Sequence, residues 1–308
     1  ETILRRSTPA EREKVAGWIR ALRPEVTSWR ELPYGRFLLD LEASAMTDEA
    51  YLVACRELDL HVERVRRLLQ RHRTDEALKA AREAPEWAVH PLAVLLSEHG
   101  RGDDAEALVR ARMPSPPDTA LLQWLFDRVR RRGDMRETTR LIEALFTASP
   151  SLDRYLVARS LPRDAEGIEP WPAARARLIE VAERHPHLRI EILLNEGEID
   201  EALRRVKDER TVDVARRLVT PGMKLRVAEE AERTHPAAAI GVYRDHIEGL
   251  VALGQRTHYR EACKLIKRAL GLYAGSGMSL VGEEWLRDLR TRHKRLRALL
   301  EEMKAAGL

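Results

Sequence analysis

The chain has 308 residues, of which 44% are hydrophobic, 34% charged and only 5% aromatic, and its formal net charge is +4. This length suits one large or two ordinary domains, and so small a net charge permits a nucleic-acid partner without requiring one. Two cysteines exclude a disulfide framework, and no apolar run approaches the roughly 20 residues that span a bilayer. We therefore expect a cytoplasmic protein without membrane contact. Because the first residue is not methionine, we also expect a fragment of a longer chain.

Residues 1–60 predict three helices that form an N-terminal cap. The first begins at Thr8, with Pro9 in the first turn and Glu11 three residues after the cap, which is the pattern of a capping box. The other two are predicted from apolar spacing and an acidic start: Phe37, Leu38 and Leu41 on the second, and Thr47-Asp48-Glu49 with buried Leu52 and Cys55 on the third.

From residue 61 to 235 one pattern recurs: an apolar helix, a small or polar turn, an acidic helix start and then a small residue. The small residues that anchor this pattern, including two beyond residue 235, are Ala77, Ala107, Thr138, Ala174, Ala202, Ala239 and Ala262. The steps between them range from 23 residues (239 to 262) to 37 residues (202 to 239). Two helices and two turns need about that length, so the pattern predicts degenerate α-hairpin repeats.

The clearest of these turns lies between Leu193 and Leu203. Gly197 can adopt the left-handed conformation that ends a helix. Glu198 and Glu201 then fall at the start of the next helix, where negative charge is favoured. Small Ala202 lets the two helices approach closely.

Residues 236–308 predict longer helices that cap the repeats. One runs from Tyr259 to Tyr273, the chain turns at Gly275-Ser276-Gly277, and a final helix runs from about Val281 to Lys304. The apolar stripe of that final helix consists of Trp285, Leu289, Leu296, Leu299, Leu300 and Met303. Most of the six scattered tryptophans are expected in the core.

Two segments resemble the tetratricopeptide repeat, namely Gly197-x-Ile199-x-x-Ala202-Leu203 and Tyr259-Arg260-Glu261-Ala262, and Pro150 occupies the position of that repeat's closing proline. The first helices lack the tryptophan, glycine and tyrosine of that family. The expected fold is therefore all-α, a right-handed α-α solenoid of degenerate tetratricopeptide-like hairpins with about sixteen helices.

A longer resemblance covers nearly the whole chain. Four segments, Tyr34–Glu42, Asp48–Glu57, Ile190–Leu203 and His293–Leu300, resemble the carboxy-terminal helical region of bacterial SWIM zinc-finger proteins. The zinc finger of that family is a CxC pair followed by CxH, and neither occurs here. The resemblance thus implies no cofactor in this chain, a finger upstream of Glu1, and a parent protein that works near DNA or in protein assemblies.

Metal and catalytic chemistry are not predicted. Cys55 and His61 are six residues apart and Cys263 and His258 five apart, which places each pair on different faces of a helix. No HExxH, CxxC, phosphate loop, dinucleotide-binding glycine triplet or nucleophile elbow occurs. We therefore expect neither a metal site nor a small-molecule substrate.

The basic clusters are the candidate site residues. They form three groups: Arg64, Arg67 and Arg71; Arg128, Arg130, Arg131 and Arg132; and Arg290, Lys294 and Arg297. Arginines on successive helices could follow a phosphate backbone. Alternatively, acid-first pairs four residues apart, such as Glu63/Arg67 and Glu106/Arg110, are typical of solvated helix surfaces.

The leading functional hypothesis is a non-enzymatic scaffold whose concave face binds a protein or peptide. Direct nucleic-acid binding through an arginine-lined face is the alternative, and it requires the first two clusters to converge. A base-excision enzyme on a helical-repeat fold is a third hypothesis, which requires an aspartate and aromatic residues facing a basic groove.

Overall fold

The computed structural model describes residues 7–22, 34–43, 45–163, 167–207 and 220–308. These ranges contain eighteen α-helices and no strand, which confirms the all-α class and slightly exceeds the expected sixteen helices. The chain divides into an N-terminal unit (Glu1–Ala144) and a C-terminal unit (Leu145–Leu308). Each unit is described separately.

The N-terminal unit contains α1 (Pro9–Leu22), α2 (Tyr34–Glu42), α3 (Asp48–Glu57), α4 (His61–Gln70), α5 (Thr74–Glu83), a 3-10 turn (Glu86–Ala88), α6 (Val89–Glu98), α7 (Gly102–Ala111), α8 (Thr119–Arg132) and the larger part of α9 (Met135–Ala148). The C-terminal unit contains α10 (Leu152–Ser160), α11 (Trp171–Ala182), α12 (Pro186–Glu196), α13 (Ile199–Lys207), α14 (Pro221–Ala231), α15 (Pro236–Ala252), α16 (Arg256–Gly275), α17 (Ser279–Arg292) and α18 (Arg297–Ala305).

The predicted helix starts near the N-terminus are confirmed. Glu11 N donates to Thr8 Oγ1 over 3.3 Å, and Thr8 N donates back to Glu11 Oε2 over 2.7 Å, which completes the capping box of α1. Thr47 caps α3 by accepting from the N–H of Ala50. α1 packs against α2, and α3 packs against both α2 and α4.

The helices that follow in the N-terminal unit pack as paired hairpins. α4 packs against α5, and α6 packs against α7. The first members of the two hairpins, α4 and α6, also contact each other, as do the second members, α5 and α7. α8 then packs against both α6 and α7. Each hairpin therefore buries its apolar face against the next.

The same type of turn connects consecutive helices at several places in both units. A residue with positive φ ends the first helix, and a small buried residue follows five positions later in the second helix. The pairs with this arrangement are His72 and Ala77, Gly100 and Ala105, Gly133 and Thr138, Gly197 and Ala202, and Gly277 and Gly282. At Gly197, with φ +76°, the N–H of Glu198 donates to Leu193 O over 2.9 Å, as predicted for this turn.

One anchor was predicted in the wrong register. The left-handed residue of the turn between α6 and α7 is Gly100, so the buried small residue is Ala105 and the predicted Ala107 is exposed. A Cβ at Gly102 would lie 2.3 Å from Arg128 Nη1, so a larger residue there would displace the end of the Arg128 side chain. The other predicted anchors are buried.

The C-terminal unit also pairs consecutive helices. α12 packs against α13, α14 against α15, and α15 against α16, while α12 also contacts α10 and α14. A cluster of buried residues from Ile190 to Met303 forms its core, with Tyr243 and Ile247 fully buried. The predicted helix from Tyr259 to Tyr273 is confirmed within the longer α16.

The predicted single final helix from Val281 to Lys304 is wrong, because the chain breaks into α17 and α18 around a turn at residues 293–296. Both helices pack against α16. The turn brings α18 back against α16. One core therefore contains residues of both helices, namely Trp285, Leu289, Leu299 and Met303. A continuous helix would carry the last residues past α16. Consequently Lys294 lies in the turn and not on a helix.

The expectation that most tryptophans are buried is only partly correct. Trp285 is buried, but Trp18 and Trp87 are 60% and 58% exposed. Trp124 and Trp171 are half-buried, and Trp29 lies outside the described residues.

Candidate functional site

The first predicted cluster lies on α4, and two of its three arginines bind one carboxylate. Arg67 Nη2 lies 2.6 Å from Asp48 Oδ1, and Arg71 Nε lies 2.7 Å from Asp48 Oδ2. The Arg67 guanidinium also lies over the ring of Tyr51, 4.9 Å from its centroid. These contacts tie α4 to α3. Arg64, which is half-buried, has no ion-pair partner within the ranges that the structure describes.

The second cluster, at the end of α8, is also engaged. Arg128 Nε donates to Glu106 Oε2 over 2.9 Å, and Arg132 Nη1 donates to the same oxygen over 3.0 Å. Arg131 Nε donates to the backbone oxygen of Asp127, one turn earlier in the same helix. Arg130 lies over the ring of Phe126, 5.8 Å from its centroid. The cluster is therefore bound to α7 and to its own helix.

Glu106 is the centre of this network and was not predicted as such. It is 8% exposed and also accepts from Arg110 Nη2 over 2.9 Å, so three arginines surround one carboxylate. Burial alone would raise the pKa of Glu106, but the hydrogen bonds from Arg110 and Arg128 and the charge of Arg132 outweigh it and hold the pKa below its ordinary value. The carboxylate is thus kept ionised as a link between α7 and α8.

The first two clusters consequently use separate carboxylates, Asp48 on α3 and Glu106 on α7. Nucleic-acid binding by both clusters requires them to converge on one face. Four of the seven residues, Arg67, Arg71, Arg128 and Arg132, are held in ion pairs. Nucleic-acid binding through these two clusters stays a prediction.

The third cluster differs. Arg290, Lys294 and Arg297 are exposed, and their side chains have no hydrogen bond or ion pair within the described part of the chain. Arg287 and Arg295, which were not among the predicted site residues, are also exposed, and their side chains likewise have no hydrogen bond or ion pair with the described residues. We refer to these five residues as the C-terminal basic patch.

A groove between α5 and α7 is a second surface that the sequence did not indicate. Its volume is about 360 Å³, and its lining residues are Leu78, Ala81, Arg82, Leu96, Asp104, Ala107, Leu108, Ala111 and Arg112. We refer to it as the α5–α7 groove. The exposed small side chains of Ala107 and Ala111 leave the space open. The misassigned anchor Ala107 therefore lines a surface and does not close a core.

Three charged residues, Arg82, Asp104 and Arg112, also line this mainly apolar groove. Arg112 donates from Nη1 to Arg82 O over 2.6 Å and from Nη2 to Ala84 O over 2.9 Å, so it caps the C-terminal carbonyls of α5. Asp104 is bound by Arg101 at 2.6 Å. The exposed side chain of Arg82 has no partner among the described residues.

The described residues contain no group of three or more His, Cys, Asp or Glu side chains placed to hold a metal ion. Both cysteines are buried, and burial raises the pKa of the Cys55 thiol to about 12. Among the helices that the structure describes, none combines the length and apolar character needed to cross a bilayer.

Comparisons with protein-family models, curated proteins and solved structures found no match to this chain.

Proposed function

We propose that this chain is a non-enzymatic helical-repeat scaffold that binds a protein or peptide partner. The observation that carries the proposal is the α5–α7 groove, an open apolar surface between the second helices of two stacked hairpins. Its volume of about 360 Å³ is within the range of roughly 300 to 1,000 Å³ typical of ligand pockets. Stacked hairpins support such a role because each contacts mainly its neighbours and leaves an extended surface free.

The finer architecture belongs to the same proposal. We assign the hairpins to a right-handed solenoid of degenerate tetratricopeptide-like repeats. The recurring turn with a left-handed residue followed by a small buried residue supports this assignment. We also retain membership of the SWIM zinc-finger family, on the residues quoted above. Sequencing the gene upstream of the Glu1 codon tests that membership, because a CxC…CxH pattern encoded there would support it.

The lining of the groove defines the chemistry of its ligand. Leu78, Leu108 and the two exposed alanines offer apolar contact, which suits a leucine-sized or aromatic side chain. Unpaired Arg82 at the margin favours a neighbouring carboxylate on the ligand. The expected partner segment is therefore a peptide with an apolar anchor residue next to an acidic one.

Selection from a random peptide library displayed on phage tests this proposal. Ala107→Trp fills the groove, and Ala173→Trp is the matched control, because Ala173 is also an exposed alanine and lies on α11. Enriched peptides should carry the apolar–acidic pair, bind Ala107→Trp at least tenfold more weakly, and bind Ala173→Trp as they bind the parent. Peptides that bind all three proteins equally would contradict the proposal, as would a selection without enrichment.

A further inference from the structure

We infer that the C-terminal basic patch binds the phosphate backbone of nucleic acid without reading its sequence. This patch belongs to the C-terminal unit and shares no residue with the α5–α7 groove, so the inference is independent of the proposed peptide binding. The inference rests on three observations: the high positive charge of the segment, the absence of carboxylate partners for its cations within the described residues, and the contacts that hold its backbone in place.

Charge density is the first step. Between residues 287 and 300 the chain has six arginines and lysines and one carboxylate, Asp288, which is a net charge of +5 in fourteen residues. The entire chain of 308 residues has a net charge of only +4. Asp288 does not neutralise the patch, because it pairs with Arg292 at 2.8 Å. Five cations are therefore left to face solvent.

The arginines of the first two clusters differ from the patch, because most of them pair with a carboxylate. Arg67 and Arg71 share Asp48, Arg128 and Arg132 share Glu106, and within the patch segment itself Arg292 binds Glu248 at 2.5 Å. Where these cations face a neighbouring helix, that helix supplies a carboxylate. The five cations of the patch have no such partner within the described residues, so an external anion is the remaining source of neutralisation.

The patch is held in place by the structure beneath it. His293 Nε2 lies 2.9 Å from Glu248 Oε2, so two consecutive residues, Arg292 and His293, fix the α17–α18 turn to α15. Buried Leu289 and Leu299, on either side of the turn, pack into the core of the unit. No side chain caps the N-terminus of α18, which begins at Arg297 inside the patch, so its dipole adds to the positive potential. Little ordering of the backbone is then needed on binding.

Nucleic acid fits this surface better than a membrane does. Helices that lie on membranes combine cations with an apolar face that enters the lipid. The large exposed apolar residues of α17 are Leu280 and Val281, which precede Arg290 by about 15 Å along the helix axis. The aromatic side chain of α17, Trp285, is buried, and α18 has none, so none is available on these two helices for stacking on bases. Contact with phosphates alone is expected, in duplex and single strand alike.

The test measures fluorescence anisotropy of a labelled 30-base-pair duplex of arbitrary sequence, titrated with the whole chain at 50, 100 and 200 mM KCl. Five phosphate contacts predict a slope of about −4.5 for log affinity against log salt, which is a loss of about 500-fold between 50 and 200 mM. The variant R290E/K294E/R297E should reduce the slope to about −2 and weaken binding at least tenfold at 50 mM.

The control is R184E/R233E/K267E, which makes the same change of net charge at three exposed, unpaired cations of the same unit outside the patch. It should bind within about threefold of the parent and keep its slope, and circular dichroism should show both variants to be folded. Equal weakening in both variants would overturn the inference by showing a net-charge effect. Absence of binding to the parent at 50 mM would also overturn it, and so would sedimentation with phosphatidylserine vesicles in place of duplex binding.

Discussion

Replacing Glu106 by glutamine should destabilise the N-terminal unit, because this carboxylate neutralises three arginines from two helices. It accepts from Arg110, Arg128 and Arg132 at 2.9, 2.9 and 3.0 Å. Glutamine has nearly the same shape, so the change removes charge and leaves packing intact. Its amide nitrogen is a donor and would face guanidinium donors.

The magnitude follows from the exposure of the partners. A hydrogen bond to a charged group contributes about 1.5 to 3 kcal/mol when it is shielded. The side chains of Arg110, Arg128 and Arg132 are 42%, 25% and 48% exposed, so solvent screening reduces each contribution to about 1 kcal/mol. A glutamine oxygen in the place of Oε2 keeps the hydrogen bonds from Arg128 and Arg132, each weakened by roughly half because the acceptor is no longer ionised, and the bond from Arg110 is lost. The expected loss in the free energy of unfolding is therefore about 2 kcal/mol.

Urea unfolding followed by circular dichroism measures this loss, which should lower the midpoint by about 1 M if the slope is about 2 kcal/mol per molar urea. Glu98→Gln is the control, because Glu98 is exposed and unpaired on α6. The pKa of Glu106 is lowered in the folded state, so its stabilisation is present above the ordinary value of 4.5 and disappears as the pH falls through the folded value. A loss no larger than that of Glu98→Gln at pH 7 would refute the reasoning.

Three further predictions concern stability and reactivity. Tyr155 is fully buried and its hydroxyl donates to Glu196 over 2.6 Å, so Tyr155→Phe should cost about 1 to 2 kcal/mol in urea unfolding; no change would contradict the hydrogen bond's role. Gly197→Ala should cost about 1 kcal/mol because φ is +76° there, whereas Gly249→Ala, at an exposed position inside α15, should stabilise by about 0.5 to 1 kcal/mol in the same assay. Cys55, whose pKa burial raises to about 12, should react with Ellman's reagent at pH 8 only on unfolding; rapid reaction of the folded protein would refute its burial.

The hairpin turns could be predicted from sequence because they depend on local chemistry. Gly197 followed by acidic residues and Ala202 specifies a helix end, a helix start and a close approach within six positions. The register failed at the Gly100 turn, where two glycines stand two residues apart. Only the fold distinguishes them, because φ is +73° at Gly100, whereas Gly102 is the first residue of α7.

The ion pairs could be predicted much less well. Of the two acid-first pairs named from the sequence, Glu106–Arg110 forms. The expected Glu63–Arg67 pair does not: Glu63 pairs with Arg36 at 3.4 Å, and Arg67 pairs with Asp48 of another helix. A pair within one helix contributes only about 0.2 to 0.5 kcal/mol. A carboxylate on a packed neighbour can therefore displace it, and sequence spacing does not reveal that neighbour.

The same competition explains why the three basic clusters looked alike in sequence and differ in the structure. Arg71 and Arg128 lie where a neighbouring helix packs against their own, and Asp48 and Glu106 are within reach. α17 and α18 bury one side against α16, which leaves Arg290 on the side that faces solvent. A cluster that recognises an external anion must be one that the fold has not already neutralised. By that criterion the pairing of each arginine, and not the number of arginines in a segment, separates a binding surface from a helix contact.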